Sequence, residues 1–290
     1  MRVYIADTDI TEYCDVTACR IVDAGAGESD RIEITLGADD FFTWKPCTGE
    51  KIRVEHEGLN TGALPIALEM PGDGAYTVIA AAMPEETARR KWETYEYASI
   101  DDIIRKLCGN YRYLGIDIDY SFRYAARYDE NATEFIARLL TPQAGLCKWT
   151  SDGLYIAALK SLLERGTAAY IELRADGANF SYTTSDTARI QTVRVVSPRG
   201  MGESSFGESG GTILITDAPV FSDMDALKWA QGALLKNNLG GETLEVGLDF
   251  NPDLVSWGMY ETTGPYTGRW IATRVEHDLI AKRTIVTLER

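Results

Sequence analysis

The chain has no hydrophobic run long enough to cross a membrane and no sign of a secretory signal. No stretch approaches the roughly 20 uninterrupted apolar residues that a transmembrane helix needs. The first seven residues lack the apolar core of a signal peptide. We therefore expect no membrane insertion by this chain. We also expect synthesis in the cytoplasm, followed by retention there or by export along a route that needs no signal.

Cysteine and histidine are scarce, which limits metal, redox and acid–base chemistry. The five cysteines form an odd set that argues against a disulfide framework, so we expect reduced and mostly buried thiols. They are Cys14, Cys19, Cys47, Cys108 and Cys147. No C-x-x-C or H-E-x-x-H spacing occurs, nor does a phosphate-binding loop or a dinucleotide fingerprint. The sequence therefore predicts no metal site and no cofactor.

Basic residues are fewer than acidic residues in this chain. Lys and Arg number 29 against 44 Asp and Glu, so the formal net charge is -15. Such a chain has no overall attraction for a phosphate backbone, which argues against sequence-specific nucleic-acid binding. The surplus can simply provide solubility. Alternatively, it can line a passage through which DNA slides without sticking.

The composition is that of an ordinary globular protein, and its length suits two or three compact units. Hydrophobic residues make up 45% and charged residues 25% of the 290 residues. The first ninety residues read as β-rich, with turn signals at residues 23–27 and 71–74. Strands are predicted at residues 2–5, 18–22, 31–36, 51–56 and 75–80. This spacing favours a small barrel or sandwich.

The middle of the chain has helical as well as strand character. Residues 85–92 are charged and read as a connector. Ser99 and Asp102 then give a capping-box signature for an amphipathic helix. A second helix is predicted from residue 131 or 132 to Leu140, stopped by Pro142. Residues 146–149 and 154–157 read as a hairpin with Asp-Gly in its turn, which gives a small α+β unit.

After residue 168 the β pattern returns. One helix interrupts it, at about 222–239, with Ser222 as its N-cap. Strands are predicted at 169–173, 187–196, 212–216, 243–248, 270–277 and 283–289. The Gly/Ser-rich residues 199–207 read as a mobile loop. The tetrapeptide RVEH occurs at 53–56 and again at 274–277, a faint echo that would suit two related barrels.

One string satisfies the G-x-S-x-G pattern of a nucleophilic serine. It spans residues 207–211, with Ser209 at its centre. A nucleophile elbow needs a strand before it and a helix after it, whereas here a loop precedes and a strand-like run follows. The two histidines, His56 and His277, lie in apparent strands without a catalytic context. We therefore interpret the string as a loop.

Carboxylates and tryptophans also have plainer interpretations. Asp117, Asp119, Asp129 and Glu130 could supply the paired acids of a glycosidase. However, Asp117 and Asp119 alternate with isoleucines as on the polar face of a strand. Core or interface positions are expected for the tryptophans, which are Trp44, Trp92, Trp149, Trp229, Trp257 and Trp270. No catalytic residue is predicted.

Several segments follow one another in a recognisable order along the chain. ADDFFTW at 38–44, followed by GEKIRV at 49–54, reads as an Asp-containing turn that leads into a strand. Residues 92–104 read as a connector and a helix, residues 127–140 as an acidic-capped helix, residues 152–156 as a hairpin and residues 270–279 as a closing strand. In this order the segments resemble the phage late-control D protein family, the baseplate hub of contractile tails and related injection devices.

The resemblance implies a mainly β fold with two tube-like β-barrel domains and a small α/β domain. These would span residues 1–90 for the first barrel, 91–160 for the α+β insertion and 161–290 for the second barrel. It also implies a homotrimer whose six barrels adapt the six-fold tail tube to the three-fold tail spike. The implied partners are the spike, tube and baseplate proteins, with non-specific passage of DNA. The chain would be assembled in the bacterial host cytoplasm and would reside in the virion tail or baseplate.

Two other functions stay open at this stage. A cell-wall glycan-binding module would need exposed aromatic side chains around a pocket. A peptidoglycan-hydrolysing tail protein would need an acid/base pair, and no enzymatic activity is expected.

Overall fold

The computed structural model describes residues 1–37, 46–72, 74–184, 189–207 and 210–290. Strands account for 51% and helices for 17%, which confirms the mainly β class. The first eleven strands are β1 (Arg2–Ile5), β2 (Thr8–Asp9), β3 (Val16–Asp23), β4 (Arg31–Gly37), β5 (Lys51–His56), β6 (Leu59–Asn60), β7 (Leu64–Gly72), β8 (Ala75–Ala81), β9 (Lys91–Ser99), β10 (Tyr111–Leu114) and β11 (Ser121–Glu130). The others are β12 (Gly145–Thr150), β13 (Gly153–Ala158), β14 (Ala169–Glu172), β15 (Phe180–Thr184), β16 (Ile190–Ser197), β17 (Gly200–Ser205), β18 (Gly211–Ile215), β19 (Glu242–Asp249), β20 (Met259–Thr263), β21 (Gly268–Asp278) and β22 (Arg283–Glu289).

Five α-helices and two short 3-10 helices complete the described elements. The α-helices are α1 (Glu85–Ala88), α2 (Ile100–Cys108), α3 (Ala132–Leu139), α4 (Leu159–Leu163) and α5 (Asp223–Asn238), and the 3-10 helices are Thr11–Tyr13 and Thr141–Gln143. Among the described residues, no helix has the length and apolarity to span a membrane.

A 14-stranded sheet forms the body of the molecule. Its main path runs β15-β19-β22-β21-β3-β4-β8-β7-β5-β1-β2, with β20, β14 and β6 attached at its sides. The central link is the antiparallel pair β3–β21, in which Asp23 lies opposite Val275 and Arg20 opposite Asp278. Strands from the two ends of the sequence therefore share one hydrogen-bonded sheet.

The core on the N-terminal side follows from two-residue periodicity. In β4 and β8 every second residue is buried, as expected for strands with one face on a core. Ile32, Ile34 and Leu36 of β4 join Val78 and Ala80 of β8 in one hydrophobic cluster. The alternation of apolar and polar residues that predicts these strands therefore also places their apolar side chains in the core.

Three smaller sheets surround this body. They are the sheets β10-β13-β12, β9-β11 and β17-β16-β18. The two middle helices start where predicted, and both have complete capping boxes. Ser99 and Asp102 cap α2, while Asn131 and Glu134 cap α3. The predicted hairpin is β12–β13, and Gly153 closes its turn with φ of 107°.

The prediction of a mobile loop over residues 199–207 is wrong, because residues 200–205 form β17 and pair with β16. The glycines serve close packing. A Cβ on Gly200 would overlap the backbone of Ser222, and one on Gly202 would overlap the backbone of Leu227. Helix α5 thus lies directly against β17, and only glycine permits that approach.

Two further sequence interpretations need correction. Residues 115–120, where Asp117 and Asp119 were expected on a strand, form a bend and turn. The connector at 85–92 contains α1 and the start of β9, a nine-residue strand. The ADDFFTW segment lies outside the described residues. The domain boundaries at 90 and 160 and the closure into two barrels stay predictions.

Candidate functional site

A buried polar cluster lies where strands from three parts of the chain meet. Lys148 of β12 is 5% exposed, and its ammonium donates to the Asp23 carboxylate and to Ser256 Oγ at 2.5 Å. Asp30 Oδ1 is 3.9 Å from the same nitrogen. Ser256 Oγ lies 2.7 Å from Asp23 Oδ1 and 2.8 Å from the Ala24 carbonyl oxygen. The cluster therefore joins the N-terminal, middle and C-terminal regions.

Burial controls the charge of this cluster. Removal from water raises the pKa of Asp30 to about 7, the Lys148 ammonium opposes that rise, and the neighbouring Asp23 adds to it. The single ammonium of Lys148 is thus shared between the carboxyl groups of Asp23 and Asp30. Since Lys148 donates to Ser256, its ammonium is not placed as a base that would activate the hydroxyl. The arrangement suits a structural junction better than a nucleophile.

The two histidines both pack against one aromatic ring. The ring of His56 is 5.1 Å from that of Phe250, and the ring of His277 is 5.5 Å from it. His277 is buried, with Nδ1 3.0 Å from Thr284 Oγ1. Desolvation lowers the pKa of both histidines. Ser209 lies outside the described residues, so the structure does not test its proximity to either histidine.

The predicted carboxylate candidates make local contacts. Asp119 N donates to Asp117 Oδ1 at 3.2 Å in the turn after β10. Glu130 pairs with Arg138 at 2.7 Å, and Asp129 lies 3.9 Å from Arg90. Within the described ranges, no group of three His, Cys, Asp or Glu side chains is arranged to hold a metal ion.

The cysteines and tryptophans only partly follow expectation. Cys19 and Cys147 are buried, and burial raises the pKa of both to about 12. Cys47 is exposed, contrary to the expectation of mostly buried thiols. The described tryptophans in the core are Trp149, Trp229, Trp257 and Trp270. Trp92, by contrast, is 75% exposed.

Trp92 belongs to an aromatic surface on the two-stranded sheet β9–β11. Its ring meets the ring of Tyr128, directly opposite in the register, edge-on at 5.4 Å. The hydroxyls of Tyr124 and Tyr128 are 3.2 Å apart. Tyr97 is 80% exposed. The other face of the same sheet is buried through Tyr95, so the pleat directs Trp92, Tyr124 and Tyr128 to solvent, whereas Tyr97 reaches solvent where its positive φ of 51° interrupts the pleat.

Beside this sheet lies a cleft of 790 Å³, hereafter the aromatic cleft. One wall is the sheet, and the other consists of residues 197–199 and 216–221. The guanidinium of Arg199 lies 4.8 Å from the centre of the Phe221 ring, and that of Arg123 lies 5.8 Å from it. Sequence reasoning missed this cleft because its walls come from segments about 100 residues apart. The alternation of Trp92, Thr94 and Glu96 marks one face of β9 in the sequence but does not identify the second wall of the cleft.

No protein-family model matches this chain, and no curated protein is similar to it in sequence. Solved structures do share its fold. The tail protein from Neisseria meningitidis MC58 superposes with a TM-score of 0.78 at 10% identity, covering 100% of this chain and 95% of that one. The 43 kDa tail protein of prophage MuSo2 from Shewanella oneidensis gives 0.73 at 11% identity, covering 99% and 97%.

A third similar structure comes from a related injection device. It is an Escherichia coli component of the type VI secretion system, described as similar to the T4 tail proteins gp27 and gp5. Its TM-score is 0.61 at 12% identity, with 99% of this chain and 76% of that one covered. The predicted resemblance to baseplate hub proteins is thus confirmed at the level of the fold, over the whole chain.

Proposed function

We propose that this protein is a structural hub of a contractile phage tail or related injection device. In this role three copies form an adaptor between the six-fold tail tube and the three-fold spike. The observation that carries the proposal is the fold shared with phage tail proteins over 99–100% of the chain. Because fold alone does not define function, the proposal also rests on what the sheet can do mechanically.

Transmission of force requires that the β regions of one chain do not separate. The β3–β21 pair supplies backbone hydrogen bonds across that boundary. The middle region is joined through the backbone to the segment between β3 and β4, because Gly27 N donates to the Cys147 carbonyl at 2.7 Å and Asp30 N to the Trp149 carbonyl at 2.9 Å. Separation of any region would expose buried polar groups and break these bonds.

The ends of the large sheet offer a means of assembly. Among the described strands, β2 and β15 end the main path, and each pairs with one neighbour on that path. Edge strands carry unpaired backbone groups that can pair with another chain. Pairing of such edges between copies would continue the sheet around a closed ring, as a cyclic trimer requires. The acidic surplus would then disfavour adhesion of DNA in the central passage.

The site geometry supports a role without catalysis. Lys148 and Ser256 are held in a structural cluster, the histidines pack against Phe250, and the candidate carboxylates make local contacts. The proposed location is the virion tail or baseplate, after assembly in the host cytoplasm.

Electron microscopy of assembled particles tests the proposal directly. The chain, labelled through a fused tag, should lie on the tail axis between the tube and the spike, in three copies. Sedimentation of the purified protein, alone and with the spike protein, should give a trimer or a complex containing three copies of the hub. A position off the tail axis would contradict the proposal.

A further inference from the structure

Exposed aromatic side chains on one face of the β9–β11 sheet mark the aromatic cleft and its rim. Tyr97 and Tyr128, which line the cleft, are 80% and 54% exposed, and Trp92, which packs on Tyr128 outside the lining, is 75% exposed. Large aromatic side chains on a solvent-facing sheet give little to the core but much to recognition, because they offer broad faces with few rotatable bonds. Eight cross-strand pairs between β9 and β11 hold the backbone of Trp92 and Tyr128, while Tyr97 lies between two of these pairs. The sheet therefore holds the Tyr128 side of the surface in place for a ligand.

The dimensions of the cleft fit a short extended ligand. A volume of 790 Å³ lies within the range of about 300–1,000 Å³ that is typical of small-molecule sites. A partner protein would instead cover a broad area of roughly 800 Å² on each side. The far wall carries Pro198 and Pro219, which restrict its backbone. Concave shape and size thus favour a small ligand over a folded domain.

Four exposed charged side chains in the cleft indicate which chemical groups a ligand would need. The carboxylates of Glu96 and Asp217 and the guanidiniums of Arg123 and Arg199 line the cleft. Within the described part of the chain, none of these four groups has a hydrogen bond or an ion pair. All four side chains are exposed to solvent and so are accessible to a ligand, and one that supplies both hydrogen-bond donors and acceptors along with an apolar face for the rings would match them.

The charges in the cleft further narrow the class of ligand. Two unpaired cations are balanced by two unpaired anions, so the cleft is not built for a phosphate chain, and the net charge of -15 opposes nucleic acid as well. A pyranose ring has an apolar C–H face that packs on an aromatic ring, and its hydroxyls both donate to carboxylates and accept from guanidiniums. We infer that the aromatic cleft binds a short oligosaccharide, an activity beyond the proposed hub function.

The test uses the full-length protein and two defined sugars, chitohexaose and maltohexaose. Saturation-transfer NMR at millimolar sugar should show binding of at least one of them to the wild type. Tyr97→Ala and Tyr128→Ala should each weaken that binding about tenfold or more, the loss typical of a central aromatic contact. Both side chains are largely exposed, so the variants should keep the fold, which circular dichroism and thermal melting would verify.

Tyr170→Ala is the matched control, because Tyr170 is 72% exposed on β14 and does not line the cleft. It should leave sugar binding unchanged. Failure of the wild type to bind either sugar would overturn the inference, as would equal loss in all three variants. If the cleft variants instead lower the mass in light scattering, without any sugar binding by the wild type, the surface is a contact between copies. The two proposals can fail separately. If the chain binds sugar but lies off the tail axis, the hub proposal is wrong and the sugar-binding inference stands.

Discussion

The ammonium of Lys148 lies almost entirely out of water, between carboxylates contributed by a distant part of the chain. Buried ion pairs add little when complete, because desolvation offsets attraction, but loss of one partner leaves an uncompensated charge. Lys148→Met should therefore lower the free energy of unfolding by about 3–5 kcal/mol in a urea titration. It would leave Asp23 and Asp30 without their shared cation.

An exposed pair provides the comparison. Lys282 and Glu57 are 3.2 Å apart, with side chains 67% and 54% exposed. Lys282→Met should change the free energy of unfolding by no more than about 1 kcal/mol, because water and salt screen that pair. Equal effects of Lys148→Met and Lys282→Met would contradict the structural importance of the buried cluster.

Asp30 should impose a pH dependence on stability. Its pKa is raised from the ordinary 3.8 to about 7 by burial, so the folded protein holds this proton more tightly than the unfolded chain does. The contribution of Asp30 to the free energy of unfolding is therefore greatest below about pH 4, falls between about pH 4 and 7, and then levels off. Asp30→Asn should remove this slope while its amide oxygen can still accept from Ala24 N.

The measurement is the difference in stability between wild type and Asp30→Asn across that pH range. Both histidines have lowered pKa values, so they favour the folded state less as the pH falls, but they are present in both proteins and their contributions cancel. The exposed Asp253→Asn should show no such difference. A flat difference curve for Asp30→Asn would show that its carboxyl is not the source of the slope.

At the scale of elements, a glycine allows helix α5 to pack closely against the 3-10 helix Thr141–Gln143. Gly232 is buried in the middle of α5, and a Cβ there would overlap the carbonyl oxygen of Thr141. Helix propensity alone predicts that Gly232→Ala stabilises α5 by about 1 kcal/mol. Because the obstacle is backbone, we expect the opposite, a loss of about 1–3 kcal/mol from overpacking.

Thermal or urea unfolding would measure this change. Gln231→Ala, at the exposed neighbouring position of α5, is the control and should shift stability by only a few tenths of a kcal/mol. Stabilisation by Gly232→Ala would contradict the close contact between α5 and the 3-10 helix Thr141–Gln143.

The local sequence pattern was enough to predict many strands and helices. It failed where contacts between residues distant in sequence decide the structure. The bounds of β1, β5 and β22 match their hydrophobic alternation, and Ser99 and Asn131 cap helices through residues three positions away. β17 was mistaken for a loop, because its glycines record the approach of α5 rather than mobility. Lys148 was also missed, since its partners lie 125 and 108 residues away in sequence.

The strands β9 and β11 show a different limit of sequence reasoning. They form a two-stranded sheet with one solvent-facing side, so charged and aromatic residues replace the alternation of a core strand. Tyr97 and Asp129, with φ of 51° and 52°, also interrupt the regular pleat. The aromatic cleft could therefore not be recognised before the sheet was paired.

At the scale of the whole molecule, three links tie the regions together. They are the β3–β21 pair, the Lys148 cluster, and the contact between α5 and residues 141–144. They use different interactions, namely backbone hydrogen bonds, a buried ion pair and close packing. Loss of any one would leave the other two, as the proposed transmission of force between the tube and the spike would require.

Charge sets the conditions under which copies of this molecule should assemble. Each chain has a formal net charge of -15, so three copies brought into a ring repel one another. The Debye length falls from about 30 Å at 0.01 M salt to about 8 Å at 0.15 M, which screens this repulsion and would leave the proposed hydrogen bonds between edge strands in place. Analytical ultracentrifugation should therefore show the proportion of trimer rising with salt. NaCl and NaClO₄ should act alike at equal ionic strength, since screening depends on ionic strength alone. Trimers that dissociate as salt rises would instead indicate ion pairs between copies, and a monomer at every salt and protein concentration would contradict self-assembly of the free chain.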